Sequence, residues 1–113
     1  MDDVLTGLLR PNGIAVIGAS STPGKIGNSV VKNLIESGYE GGIYPVNPSA
    51  DEILGLKVYK SVMDIPDKVD SAAITVPAKF VLGAVRECGE KGVKGLIVIT
   101  SGDRDHLRFR RGG

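Results

Sequence analysis

IAVIGASSTPGKIG, residues 14–27, joins three kinds of backbone in fourteen positions. Ile14 to Ile17 is an apolar run too short for a helix, which reads as a buried strand. Gly18 ends it. A loop of Ser, Thr, Pro and Gly follows through Gly24 and Lys25, and an amphipathic helix opens at about Ile26, with Gly27 in its first turn. A loop between a buried strand and a helix exposes backbone N–H groups at the positive end of that helix, a ready anion site. The hydroxyls of Ser20, Ser21 and Thr22 add donors. The stretch is expected to cradle a nucleotide phosphate.

Working outward, a helix is expected from Ile26 to Ser37. Val30, Val31, Leu34 and Ile35 share one face, and Gly38 supplies the stop. Gly42–Val46 reads as the second strand, closed by Asn47-Pro48, and Leu56–Tyr59 as a short third one. Ser61 caps a brief turn that ends at Pro66. Ala72–Val76 is the next strand, cut off by Pro77. A helix over Ala78–Lys91 then places Val81, Ala84, Val85 and Cys88 at i, i+3, i+4 and i+7. Gly92 ends that helix and Leu96–Thr100 is the last strand. Upstream, Asp3–Leu9 has room for a helical turn or two before Pro11 and Asn12-Gly13. Uncharged Val/Ile-rich strands alternating with helices imply an α/β fold: a parallel sheet with helices on both faces. Right-handed crossovers make a single Rossmann-like domain the economical topology.

Composition agrees. A chain of 113 residues with 42% apolar and 24% charged side chains is a globular domain, long enough for one core. Aromatics are 4% and Trp is absent, so Val, Ile, Leu and Ala must fill that core. No apolar run approaches the roughly 20 residues of a membrane span. The lone cysteine, Cys88, excludes an internal disulfide, and MDDVLTGLLRP is acidic where a signal peptide is basic; a cytoplasmic protein with no membrane partner is expected. Net charge of +1 gives no case for nucleic acid. Residues 1–102 hold 10 Lys+Arg and 11 Asp+Glu, whereas DRDHLRFRRGG at 103–113 holds four Arg and two Asp. That shift divides a domain, 1–102, from a basic tail expected to be disordered or truncated.

In an open parallel sheet the ligand lies across the C-terminal strand ends. Here these are Gly18-Ala19-Ser20, Asn47-Pro48, Val76-Pro77 and Thr100-Ser101-Gly102. None presents a charged catalytic group, so binding is expected and catalytic or metal-ligating residues are not. A dinucleotide fingerprint spaces its outer glycines five apart and puts an acid after strand two. Gly18 and Gly27 are nine apart, and Asn47 stands where that acid belongs. GASSTPGK at 18–25 has one residue too many for a P-loop, and Ile26 replaces its Ser or Thr. Cys88 reads as a buried small hydrophobe. His106 lies in the tail without a partner, and Tyr44 and Tyr59 read as strand packing.

Four motifs in order, IAVIGAS-STPGKIG, IYPVNP, DIPDKVDSAAITVPA and GVKGLIVITSG, make residues 5–102 resemble the CoA-binding domain of NDP-forming acyl-CoA synthetases. These are the acetate–CoA ligases (ADP-forming), relatives of the succinyl-CoA synthetase alpha subunit. The resemblance implies that coenzyme A is held across the strand ends. Ser20–Ile26 would wrap its phosphates, Asn47, Pro48 and the Val76-Pro77 turn would line the adenosine side, and Thr100 and Ser101 would approach the pantetheine arm or its thiol end. Two departures stand out. Ser49 replaces a lysine frequent after the Asn-Pro pair, with Lys25 or Lys57 as the substitute cation. The tail replaces the start of the next domain, so His106 does not match the family's phosphorylated histidine. The resemblance thus implies a module whose partners are the remaining domains or a partner subunit of a synthetase, with no turnover of its own. An NAD(H)-binding module for redox or sensing is the alternative.

Overall fold

The structure, a computed structural model, describes residues 13–99. Strand β1 (Gly13–Ile17) runs between two parallel neighbours, β2 (Gly42–Val46) and β5 (Ser71–Ile74), and β6 (Gly95–Val98) lies parallel outside β5. The order β2-β1-β5-β6 matches Ala15 with Tyr44 and Ala72, and Ile17 with Val46 and Ile74. The crossover from β1 to β2 contains α1 (Ile26–Glu36), and that from β5 to β6 contains α2 (Ala78–Lys91). The two crossovers step in opposite directions along the sheet, so right-handedness sends their helices to opposite faces.

The alternation of β1 feeds two cores. Val16 meets Val31 of α1, together with Ile53 and Val58. Ala15 and Ile17 face the other way, among Ala72, Ile74, Val62, Ile65 and Cys88, against which Val81, Ala84 and Val85 of α2 pack. The sheet therefore stands between one helix on each face, the Rossmann-like arrangement expected from the strand and helix pattern.

Element ends moved by a residue or two. Helix α1 stops at Glu36, with Ser37 as its C-cap and Gly38 at φ +79°. Strand β5 ends at Ile74, and the next residue, Thr75, donates both its N–H and its Oγ1 to the Ile17 carbonyl, at 2.8 and 2.9 Å. Ser61 does cap a short 3-10 turn, Val62–Asp64, accepting from Met63 N at 3.1 Å.

The expected strand Leu56–Tyr59 is replaced by a small antiparallel hairpin, β3 (Glu52–Ile53) and β4 (Leu56–Lys57), outside the main sheet. Its reversal sits at Leu54-Gly55 with φ of +52° and +84°. Two successive positive φ values suit a two-residue hairpin, but leucine there gives no turn warning. Beyond it, Tyr59 N donates to Pro45 O and Asn47 N to Tyr59 O, both at 2.9 Å, so this segment shields the end of β2. Strand β6 departs further. Expected over Leu96–Thr100 in a sheet with helices on both faces, it runs over Gly95–Val98, where Leu96, Ile97 and Val98 are 39%, 60% and 46% exposed. β6 is the last strand of the sheet, and among the described residues α1 covers the opposite half of its own face.

Candidate functional site

The carboxyl ends of β1, β2 and β5 open into a cleft of about 260 Å³. It is lined by Gly18, Ala19, Ser20, Lys25, Ile26, Asn47, Thr75, Val76 and Pro77. The cleft lies where the chain's two crossovers diverge, between β1 and β5. Thr75 is a lining residue absent from the sequence reading. Ser21, Thr22 and Gly24 belong to the same exposed loop, and Pro48 is exposed beside Asn47. Thr100, Ser101 and the whole tail, including His106, lie outside the described residues.

Three side chains, from just after β5, just after β2 and the first turn of α1, fasten carbonyls at the end of β1 and in the β1–α1 loop. Thr75 Oγ1 donates to Ile17 O at 2.9 Å, Asn47 Nδ2 to Ala19 O at 2.8 Å, and Asn28 Nδ2 to Ser20 O at 3.0 Å. Asn28 and Thr75, each 7% exposed, are the buried polar residues of the described chain, and this is where their donors go. A buried amide or hydroxyl must find a partner; here it finds the loop. The N–H groups of Gly18 and Ala19 are occupied by Val46 O, at 3.1 and 3.2 Å, and that of Thr22 by Ser20 Oγ at 3.0 Å.

What remains open is the start of α1. Its N-cap is Lys25, with no side-chain cap and no acid in the first turn. Among the described residues, the N–H groups of Ile26 and Gly27 therefore keep no protein acceptor, as the first amides of a helix must unless capped. Lys25 is exposed at this end and adds its ammonium to the helix dipole. The combination favours an anion.

The glycines have separate duties. Gly18 has φ +95°, and a Cβ there would lie 2.6 Å from Thr75 Oγ1. A Cβ on Gly27 would lie 2.0 Å from the Gly18 carbonyl oxygen. Gly27 thus lets α1 close against the end of β1, and substituting it probes packing before any ligand contact. Gly24 has φ +94° and open space around it.

Among the described residues, the cleft lining contains no Cys, His, Asp or Glu side chain. Cys88 is buried on the inner side of α2, and burial first, then the charge of Glu87, raises its pKa. Tyr44 donates to Asp67 Oδ2 at 2.8 Å and packs edge-on to Tyr59 with ring centroids 5.9 Å apart, as strand packing predicts. Among the described residues no three His, Cys, Asp or Glu side chains form a metal group, and no helix is long and apolar enough to cross a membrane.

Ser49 N donates to Asn47 Oδ1 at 2.6 Å. Lys57 lies over the Tyr59 ring, 5.2 Å from its centroid. Beside Pro48 stands Lys60, whose Nζ is 3.5 Å from Pro48 O.

A parallel sheet covered on both faces, with an uncapped helix start at its carboxyl edge, defines a Rossmann-like ligand-binding domain. Over residues 12–109 the chain matches the CoA binding domain family, and it belongs to that family. It is 58% identical over 102 residues to the acetate–CoA ligase (ADP-forming) I subunit alpha of Pyrococcus furiosus, covering 87% of this chain and 22% of that one. It is 54% identical over 98 residues to acetate–CoA ligase (ADP-forming) II of Archaeoglobus fulgidus, covering 87% of this chain and 15% of the relative. The solved dinucleotide-forming acetyl-coenzyme A synthetase 1 of Ca. Korarchaeum cryptofilum superposes with a TM-score of 0.81 at 52% identity, covering 88% of this chain and 21% of that one. The chain thus spans about a fifth or less of these relatives. It also superposes, with a TM-score of 0.71 and 34% identity, on a hypothetical protein from Pyrococcus horikoshii OT3, 82% of which it covers.

Proposed function

We propose that this domain holds coenzyme A for an ADP-forming acyl-CoA synthetase. In this reading the phosphates lie on the loop Ser20–Ile26 and the first turn of α1. Asn47-Pro48 and Val76-Pro77 border the adenosine, and Thr100 and Ser101 approach the pantetheine arm. The observation that carries it is the fastening of the Ile17, Ala19 and Ser20 carbonyls by Thr75, Asn47 and Asn28 beside an uncapped helix start. A loop whose carbonyls are held by the protein offers its remaining amides to a pyrophosphate without opposing dipoles. The cleft is below the roughly 300 Å³ at which pockets begin to enclose a whole small-molecule ligand. An extended ligand would have part of its length on open surface.

In this reading the chain's own part is binding, since the described cleft residues include no Cys, His, Asp or Glu, and acyl transfer falls to other domains or a partner subunit of the synthetase. Residues 1–102 form the binding unit in this proposal, and 103–113 lie outside it. Titration calorimetry with coenzyme A, ADP and NAD tests it. Coenzyme A should bind more tightly than NAD, because β2 ends in Asn47-Pro48 with no acid for an unphosphorylated ribose. Tighter binding of NAD would overturn the proposal.

A further inference from the structure

We infer that Lys60 is the residue that distinguishes coenzyme A from its 3′-dephospho form, by pairing with the phosphate on the ribose. The inference rests on the coenzyme A reading and adds a specificity residue to it.

The end of β2 is where a Rossmann-like sheet meets the ribose of its nucleotide, and a phosphorylated ribose calls for a cation there. The residues directly after β2 supply none. Asn47 is spent on both sides, its Nδ2 on Ala19 O and its Oδ1 on Ser49 N. Pro48 and Ser49 carry no charge. Lys25 stands at the start of α1, on the pyrophosphate side, and Lys57 is drawn over Tyr59.

Lys60 is held at the right place by backbone. Tyr59 pairs on both sides with the end of β2, through Tyr59 N to Pro45 O and Asn47 N to Tyr59 O. The next residue therefore leaves beside the Asn47-Pro48 turn, and its ammonium lies 3.5 Å from Pro48 O. Its other neighbour is Asp51, with Nζ to Oδ1 at 3.7 Å and the two side chains 60% and 99% exposed. An exposed pair of that kind is weak. An ammonium has three donors, and a phosphate dianion outcompetes both a long carbonyl contact and a solvated carboxylate.

The test measures dissociation constants of coenzyme A and 3′-dephospho-coenzyme A for the parent chain, K60Q and K57Q at low salt. The parent should prefer coenzyme A at least fivefold, and added salt should narrow that preference. K60Q should lower coenzyme A affinity to that of the dephospho form, while K57Q keeps the parental ratio. Coincident melting curves would verify that the variants fold alike. A K60Q chain with the parental ratio, or a parent with no preference, overturns the role of Lys60 and leaves the coenzyme A reading standing. Failure of the parent to bind either compound overturns both.

Discussion

Asn47 Nδ2 donates to the carbonyl of Ala19 at 2.8 Å, so the loop leaving β2 holds down the loop leaving β1. The same side chain accepts from Ser49 N at 2.6 Å, which fixes the amide's orientation. Asn47→Asp keeps the acceptor and loses the donor, setting a carboxylate oxygen against a carbonyl. Leaving a partly buried carbonyl unsatisfied costs about 1–3 kcal/mol, or a fall in Tm on the order of 5–20 °C for a domain of this size. Coenzyme A affinity should fall at least the tenfold that about 1.4 kcal/mol represents. Unchanged melting and unchanged titration would remove Asn47 from the cradle.

Gly24 and Gly27 should separate loop strain from helix packing. Gly27→Ala places a methyl group 2.0 Å from Gly18 O, a contact that neither backbone can yield cheaply. A loss of about 3 kcal/mol or more is expected, at the upper end of overpacking effects. Gly24→Ala meets open space at φ +94°, so only the roughly 1–2 kcal/mol of left-handed backbone strain applies. Denaturant titrations of both variants measure the difference, and equal losses would contradict it.

Cys88 should be silent in the folded chain. Its side chain is fully buried, and burial keeps the thiol protonated. A disulfide reagent at neutral pH should label it only as fast as the chain opens, and promptly in denaturant. Rapid labelling of native protein would show that α2 is not seated on β5 as described.

Alkali should loosen the β2 end of the sheet through Tyr44. Burial first, and then its hydrogen bond to Asp67, push its pKa from 10.0 up to about 12. The folded chain keeps this proton through a range where the unfolded chain has lost it. The associated stability is complete below pH 10 and disappears as the pH rises towards 12. Tyr44→Phe should flatten that part of a stability-against-pH profile, and a profile as steep as the parent's would refute the assignment.

Much of this fold was legible because local pattern and tertiary role agree in β1, α1 and α2. Ile14–Ile17 is a continuous apolar run and turned out central; Gly95–Val98 has the same look and lies at an exposed edge. A run of apolar residues reports a strand, not its rank in the sheet, which depends on the direction of each crossover. The hairpin at Leu54-Gly55 escaped because leucine rarely takes a positive φ. In the candidate site, the loop and strand ends were visible in the glycines and prolines. Asn28 was overlooked, although it stands three residues before Val31 on the buried side of α1, where an amide has to be satisfied. Lys60 was beyond reach, since its place depends on Tyr59 pairing with β2.

The closeness of Gly27 to the Gly18 carbonyl also bears on rates. Residues 19–26 leave and re-enter the core at two points in contact; Thr75 holds the end of β1 before them, and Asn47 and Asn28 hold the loop itself. An anion arriving there meets a surface already shaped, with little backbone entropy left to surrender. Association should then proceed in one step at the pace of diffusion and orientation, without a slow closing phase.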